Sequence, residues 1–159
     1  MIERSLRRKL TFHAHNRTLV LVKRPNEKLE HRLMMALLWA LYLPQYPGVR
    51  VEVAIGTRYK PDLVALNAEG QPIFWAEAGE VGLDKLRILC GRYCATHLVF
   101  AKWAMNTMPF ARLIEQALRD TRRSAPVELI CFDDHAGRFV DDTGHIHITF
   151  ADIERTTWA

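Results

Sequence analysis

Residues 27–43, EKLEHRLMMALLWALYL, constrain this chain more than any other segment. Leu29, Leu33, Leu37 and Leu41 recur at i, i+4, the spacing of one face of an α-helix. From Leu33 to Leu43 every residue is apolar or aromatic, so the helix reads as buried rather than half-exposed. Those eleven residues are too few for a bilayer core of about 30 Å, so the helix belongs to a protein core. Glu27, Glu30 and Met34 lie on a strip beside the leucine ladder. Pro25-Asn26 precedes the helix and offers a cap, and Pro44 and Pro47-Gly48 stop it.

The elements around that helix set the fold class. Residues 9–15 and 18–23 read as a β-hairpin with Asn16-Arg17 at its turn. After the helix, three strands follow with no helix between them: 49–55, 62–66 and 72–78. Such short connections make an antiparallel meander. The spacing of Leu83, Leu86, Cys90 and Tyr93 predicts a helix over 82–95. An apolar strand at 97–103 comes next, expected to be central. A helix capped by Thr107, with Pro109 in its first turn, follows, then a strand at 127–132. A last hairpin is expected from 138–140 and 145–150 around Asp141-Asp142-Thr143-Gly144. This order predicts an α/β (α+β) fold with a mixed sheet and an N-terminal hairpin, not a doubly wound parallel sheet. Its 159 residues suit one domain, divided into an N-terminal β region (1–24), a core (25–103) and a C-terminal helix with strands (104–159).

Charge is uneven. Residues 1–60 carry 12 Lys/Arg against 4 Asp/Glu, and residues 61–159 carry 10 against 14. Two readings stand: an ordinary solvated surface, or a basic face that attracts phosphate. Three cysteines without a framework spacing suggest reduced thiols and a cytoplasmic protein. The basic start is not followed by an apolar stretch, so no signal peptide is expected. No membrane association is expected, and the oligomeric state stays open.

The chemistry concentrates in YKPDLVALNAEGQPIFWAEAGE, residues 59–80. Asp62 opens one meander strand and Glu77 ends the next. In a tight meander the start of one strand lies beside the end of its neighbour, so the two carboxylates are expected to be close. Two close carboxylates repel unless a cation or a proton intervenes, and Mg²⁺ uses one or two carboxylates plus waters and phosphate. The competing reading makes Asp62 a turn residue after Pro61, and pairs Glu77 with Lys85 or Arg87 structurally.

The order α–β–β–β–α–β around Pro61-Asp62 and Glu77, over about 27–102, resembles the core of the PD-(D/E)XK (restriction-endonuclease-like) nuclease superfamily. RPNEKLEHRLMMALLWAL followed by IFWAEAGEVGLDKLRIL further resembles the bacterial YaeQ-like proteins within it, which have an α/β-roll arrangement. The resemblance implies a Mg²⁺- or Mn²⁺-dependent nuclease acting on nucleic acid. Asp62 and Glu77 would be metal ligands, with the Ala78 carbonyl and Glu27 (Glu30 as the alternative) assisting. Gly79 stands where the superfamily carries its catalytic lysine. Lys85, in the first turn of the next helix, is the substitute cation, and Arg87 a phosphate contact. The alternative is a catalytically inactive nuclease-fold module that binds nucleic acid or a protein.

Other residues read more simply. His13/His15 and His145/His147 are His-x-His pairs on strand faces, compatible with a metal but equally with a half-exposed strand. Cys90, Cys94, Trp39, Trp75 and Trp103 lie in apolar segments and read as core.

Overall fold

The computed structural model describes residues 8–159; the first seven residues of the expected 1–24 region lie outside the described residues. Strands β1 (Arg8–Ala14) and β2 (Arg17–Lys23) form the hairpin. Its turn is His15-Asn16, at φ 52° and 61°. This is one residue earlier than expected, because two successive left-handed residues give the turn that matches strand twist. Helix α1 spans Leu29–Tyr42. Pro25-Asn26 does not cap it: the cap position is Lys28, with no side-chain bond. Arg32 and all of 34–42 are buried, as the apolar run requires.

The main sheet has six strands in the order β3-β4-β5-β6-β7-β8. They are β3 (Arg50–Val51), β4 (Leu63–Leu66), β5 (Pro72–Ala78), β6 (His97–Trp103), β7 (Val127–Phe132) and β8 (Glu154–Trp158). The first three pair antiparallel, the expected meander. β5, β6 and β7 run parallel, joined by crossovers through α2 (Leu83–Arg92) and α3 (Met108–Leu118). β8 returns antiparallel to β7.

Two cores follow from strand alternation. Leu63, Ala65, Phe74, Ala76 and Val99 point to one face and pack with α1 and the hairpin residues Phe12 and Leu21. Trp75, Leu98, Phe100 and Leu129 point to the other and pack with Leu86, Leu89 and Cys90 of α2 and Phe110 and Ile114 of α3. The hairpin and the sheet therefore wrap α1 between them, and the all-round apolar character of that helix has its cause here.

Three more expectations are corrected. The strand at 49–55 shrinks to Arg50–Val51, because Glu52 takes φ 56° and turns the chain out of the sheet. The expected hairpin at 138–140 and 145–150 is a short 3₁₀ turn, Ala136–Phe139, with single bridges Val140↔Ile146 and His13↔His145. The strand that completes the sheet is β8, whose Trp158 pairs with Val127. Thr107 likewise gives no side-chain cap; Asn106 Oδ1 accepts the Met108 N–H at 3.1 Å instead.

Candidate functional site

The site lies where β5 ends, β4 begins and α2 starts. Leu63 pairs with Ala76, so the next step of the register sets Asp62 opposite Glu77 across the antiparallel pair. Both then share the face that carries Trp75, the α2/α3 side. Asp62 Oδ2 accepts the Ala78 backbone N–H at 2.8 Å, which locks the start of β4 to the end of β5.

Glu77 is 4% exposed. Its Oε1 accepts from Lys85 Nζ at 2.7 Å and from the Trp75 indole N–H at 3.1 Å. Burial and the negative charge of Asp62 push its carboxyl up to about 7, against the pull of Lys85 and Trp75. Asp62 moves the other way. Burial acts to raise it, but hydrogen bonding from His31, from the Ala78 N–H and from the Glu77 carboxyl holds it below the usual carboxylate range. The two carboxyls therefore titrate as a pair, with Glu77 the more readily protonated member. Two oxygens, Glu77 Oε2 and Asp62 Oδ1, accept from no permanently protonated donor among the described residues.

Lys85 turns back toward the carboxylates from the first turn of α2, and its ammonium also lies 4.9 Å from the centre of the Tyr59 ring. Arg87, two residues on and so about 200° around the helix, is exposed and points elsewhere. Glu27 is engaged away from the pair. Its Oε1 accepts the Arg24 N–H and its Oε2 is forked by the Arg32 guanidinium. Arg32 also binds Glu52. Glu30 makes no ion pair among the described residues.

Two participants escaped the sequence. His31, on the first turn of α1, sets Nε2 3.6 Å from Asp62 Oδ2. Its pKa is raised chiefly by hydrogen bonding to Asp62, with burial opposing. It, rather than an acid, is what α1 contributes to the pair. Lys102 on β6 is 5% exposed and donates to the Gly79 carbonyl. Its ammonium lies 3.8 Å from the centre of the Phe110 ring, and burial lowers its pKa. Ala78 pairs with Ala101, so Lys102 occupies the lattice place beside Gly79 on the adjacent strand. The signal was available: Lys102 is the one ammonium in the strand HLVFAKW, which is apolar from Leu98 to Ala101.

Gly79 itself has φ 93°, a left-handed conformation that side chains rarely adopt. A Cβ built there would meet only His31 Cδ2, at 3.9 Å. Backbone conformation, not crowding, keeps this position glycine.

The histidine pairs form hydrogen bonds. His15 Nε2 bonds the Ala40 carbonyl at 2.9 Å, and His147 Nε2 bonds Asp141 Oδ2 at 3.1 Å. Among the described residues no three His, Cys, Asp or Glu side chains group as a metal cage.

No family model matches the sequence, and no curated protein matches it. Solved structures do. The YaeQ protein from Pseudomonas syringae superposes with a TM-score of 0.58 at 13% identity, over 86% of this chain and 75% of that one. The YaeQ protein from Xanthomonas axonopodis pv. citri gives 0.55 at 16% identity, over 84% and 76%. This chain has a YaeQ-like fold. At such identity the likeness extends to the path of the backbone, and the chemistry of the Asp62–Glu77 site rests on its own residues. No helix among the described residues is long and apolar enough to cross a membrane.

Proposed function

We propose that the protein is a metal-dependent phosphodiesterase of the PD-(D/E)XK type acting on nucleic acid, with its centre at Asp62 and Glu77. The observation that carries this reading is the cross-strand carboxylate pair itself, set at the meeting of β4 and β5 with Glu77 buried and its pKa raised by burial and by Asp62. A pair with one member raised above the ordinary carboxylate range is short of positive charge. The donor set, two carboxylates and the Ala78 carbonyl, is made of hard oxygens that fit Mg²⁺ or Mn²⁺. When bound, such a metal would lower the pKa of a water and neutralise phosphate oxygens.

The chain's own groups do the rest. Lys85 takes the role of the lysine absent at Gly79, holding Glu77 and offering an ammonium to a phosphate oxygen. Lys102 provides a second ammonium beside Gly79. His31 orients Asp62 and can pass a proton at Nε2. Titration calorimetry with Mg²⁺ and Mn²⁺, using Asp62→Asn as the control, tests the ligand set. Incubation with single- and double-stranded DNA and RNA tests the activity. No metal binding at millimolar concentration, or binding unchanged in Asp62→Asn, rules the reading out.

One observation favours a second reading, a module that keeps the fold without the chemistry. Glu77 is almost fully buried and its Oε1 is already bonded to Lys85 and Trp75. The same titration separates the two, since a closed ion pair has no use for a metal.

A further inference from the structure

Between β2 and the edge strand β3 runs a slot of about 680 Å³, lined by β2 residues 17–22 and by residues 49–53, with Arg32 and Trp39 of α1 also lining it. Consecutive residues line both walls, so the walls are strand edges rather than strand faces. The hairpin closes with Ala14 opposite Arg17, which makes 17, 19 and 21 the positions that bond to β1. Thr18, Val20 and Val22 therefore turn their N–H and C=O groups away from β1, toward the slot. Opposite them, the Glu52 N–H donates to the Asp62 carbonyl, so Glu52 and Arg50 face β4 and Val51 turns its backbone groups outward. None of these outward groups meets a backbone partner among the described residues.

We propose that this slot binds an extended acidic polypeptide segment, which adds a strand to β2 and so bridges the hairpin toward the main sheet. The alternation of donors and acceptors selects the class of ligand. A phosphate backbone brings acceptors only and is repelled by strand carbonyls, whereas a peptide strand supplies both partners. The sign of charge selects the sequence type. Arg17, Arg24 and Arg50 line the slot without an ion-pair partner among the described residues, while Arg32 is shared between Glu52 and Glu27. Val20 and Val22, 49% and 47% exposed, offer apolar cross-strand contacts between the charges. The binding is independent of the Asp62–Glu77 chemistry.

The test is fluorescence polarisation with a labelled peptide of alternating Val and Glu. Two further probes are the same peptide N-methylated at every second residue and an oligothymidylate of equal length. The wild-type protein is expected to bind the first peptide and to lose about tenfold or more with the N-methylated one, as main-chain bonds are removed. Val20→Pro removes an outward N–H and leaves the β1 ladder intact; it is expected to weaken binding about tenfold, as is Arg24→Glu. Equal binding of the N-methylated peptide overturns the proposal without recourse to any variant. So does no peptide binding at about 1 mM. Tighter binding of the oligothymidylate, sensitive to Arg24→Glu but not to Val20→Pro, overturns it in favour of a phosphate groove.

Discussion

Replacing Glu77 by Gln isolates the energetic consequence of the carboxylate pair. Glu77 titrates near 4.5 when unfolded and is pushed up to about 7 in the fold. Between those values the folded state holds a proton that the unfolded chain has lost, so stability falls as pH rises. At about 1.36 kcal/mol per pKa unit the difference amounts to roughly 3 kcal/mol by pH 8. Gln cannot ionise, so the variant is expected to lose this slope and to be as stable at pH 8 as at pH 5 with respect to this group. The ion pair with Lys85 exists only where Glu77 is ionised, so its loss costs the variant about 1 kcal/mol above about pH 7 and little below it. His31 also destabilises as pH rises through its raised pKa, but it is common to both proteins and cancels in the difference. Urea unfolding at pH 5, 6, 7 and 8 measures the two slopes. Under the metal reading, Mg²⁺ should restore wild-type stability at pH 8 and leave Glu77→Gln little changed. Parallel pH slopes for wild type and variant would refute the assignment of an uncompensated charge pair.

Further expectations follow from the same geometry. Gly79→Lys, which restores the superfamily residue in sequence, should destabilise by about 1–2 kcal/mol in thermal melts, because φ 93° suits only glycine; it should not raise phosphodiesterase activity. Glu128 is buried and accepts from Tyr42 at 3.0 Å, from His97, and from Arg155 at 3.3 Å, so Glu128→Ala should cost about 3–5 kcal/mol in urea unfolding. Arg123 donates to the Cys90, Tyr93 and Thr96 carbonyls and so closes the end of α2. Arg123→Ala should cost about 2–4 kcal/mol and speed hydrogen exchange of the last turn of α2. Lys85→Ala should abolish the proposed phosphodiesterase activity while raising the Glu77 pKa further, read by the pH dependence of metal binding.

Much of the molecule is legible in local pattern. The ladder of Leu29, Leu33, Leu37 and Leu41, the meander through Asn67-Ala68-Glu69-Gly70 and the central position of His97–Trp103 all rest on short-range periodicity and turn chemistry. Strand alternation and the short connection bring Asp62 near the end of β5, but its place opposite Glu77 depends on a one-residue register shift between Ala65 and Leu66, without which it would face Ala76. Lys85 is within reach because it stands on the first turn after the strand.

Where contacts span long separations, local pattern fails. Glu27 carries the right charge but lies in a bend before α1 begins, where Arg32 and the Arg24 N–H hold it, and His31 reaches Asp62 from the first turn of the helix. Where α1 starts and how it is rotated decide which of these side chains faces the strand ends, and only the packing of α1 against the sheet sets that rotation. β8 has little apolar periodicity of its own and becomes a strand by pairing with β7. The lysine missing at Gly79 is a further case. Sequence alone shows its absence, but only the parallel register of β5 and β6 brings Lys102 to the same place. Sequence determined which residues carry charge, which segments must be buried and where the chain turns, because those depend on neighbours along the chain. Tertiary structure decided which charges meet, because that depends on helix rotation and strand register fixed by distant contacts.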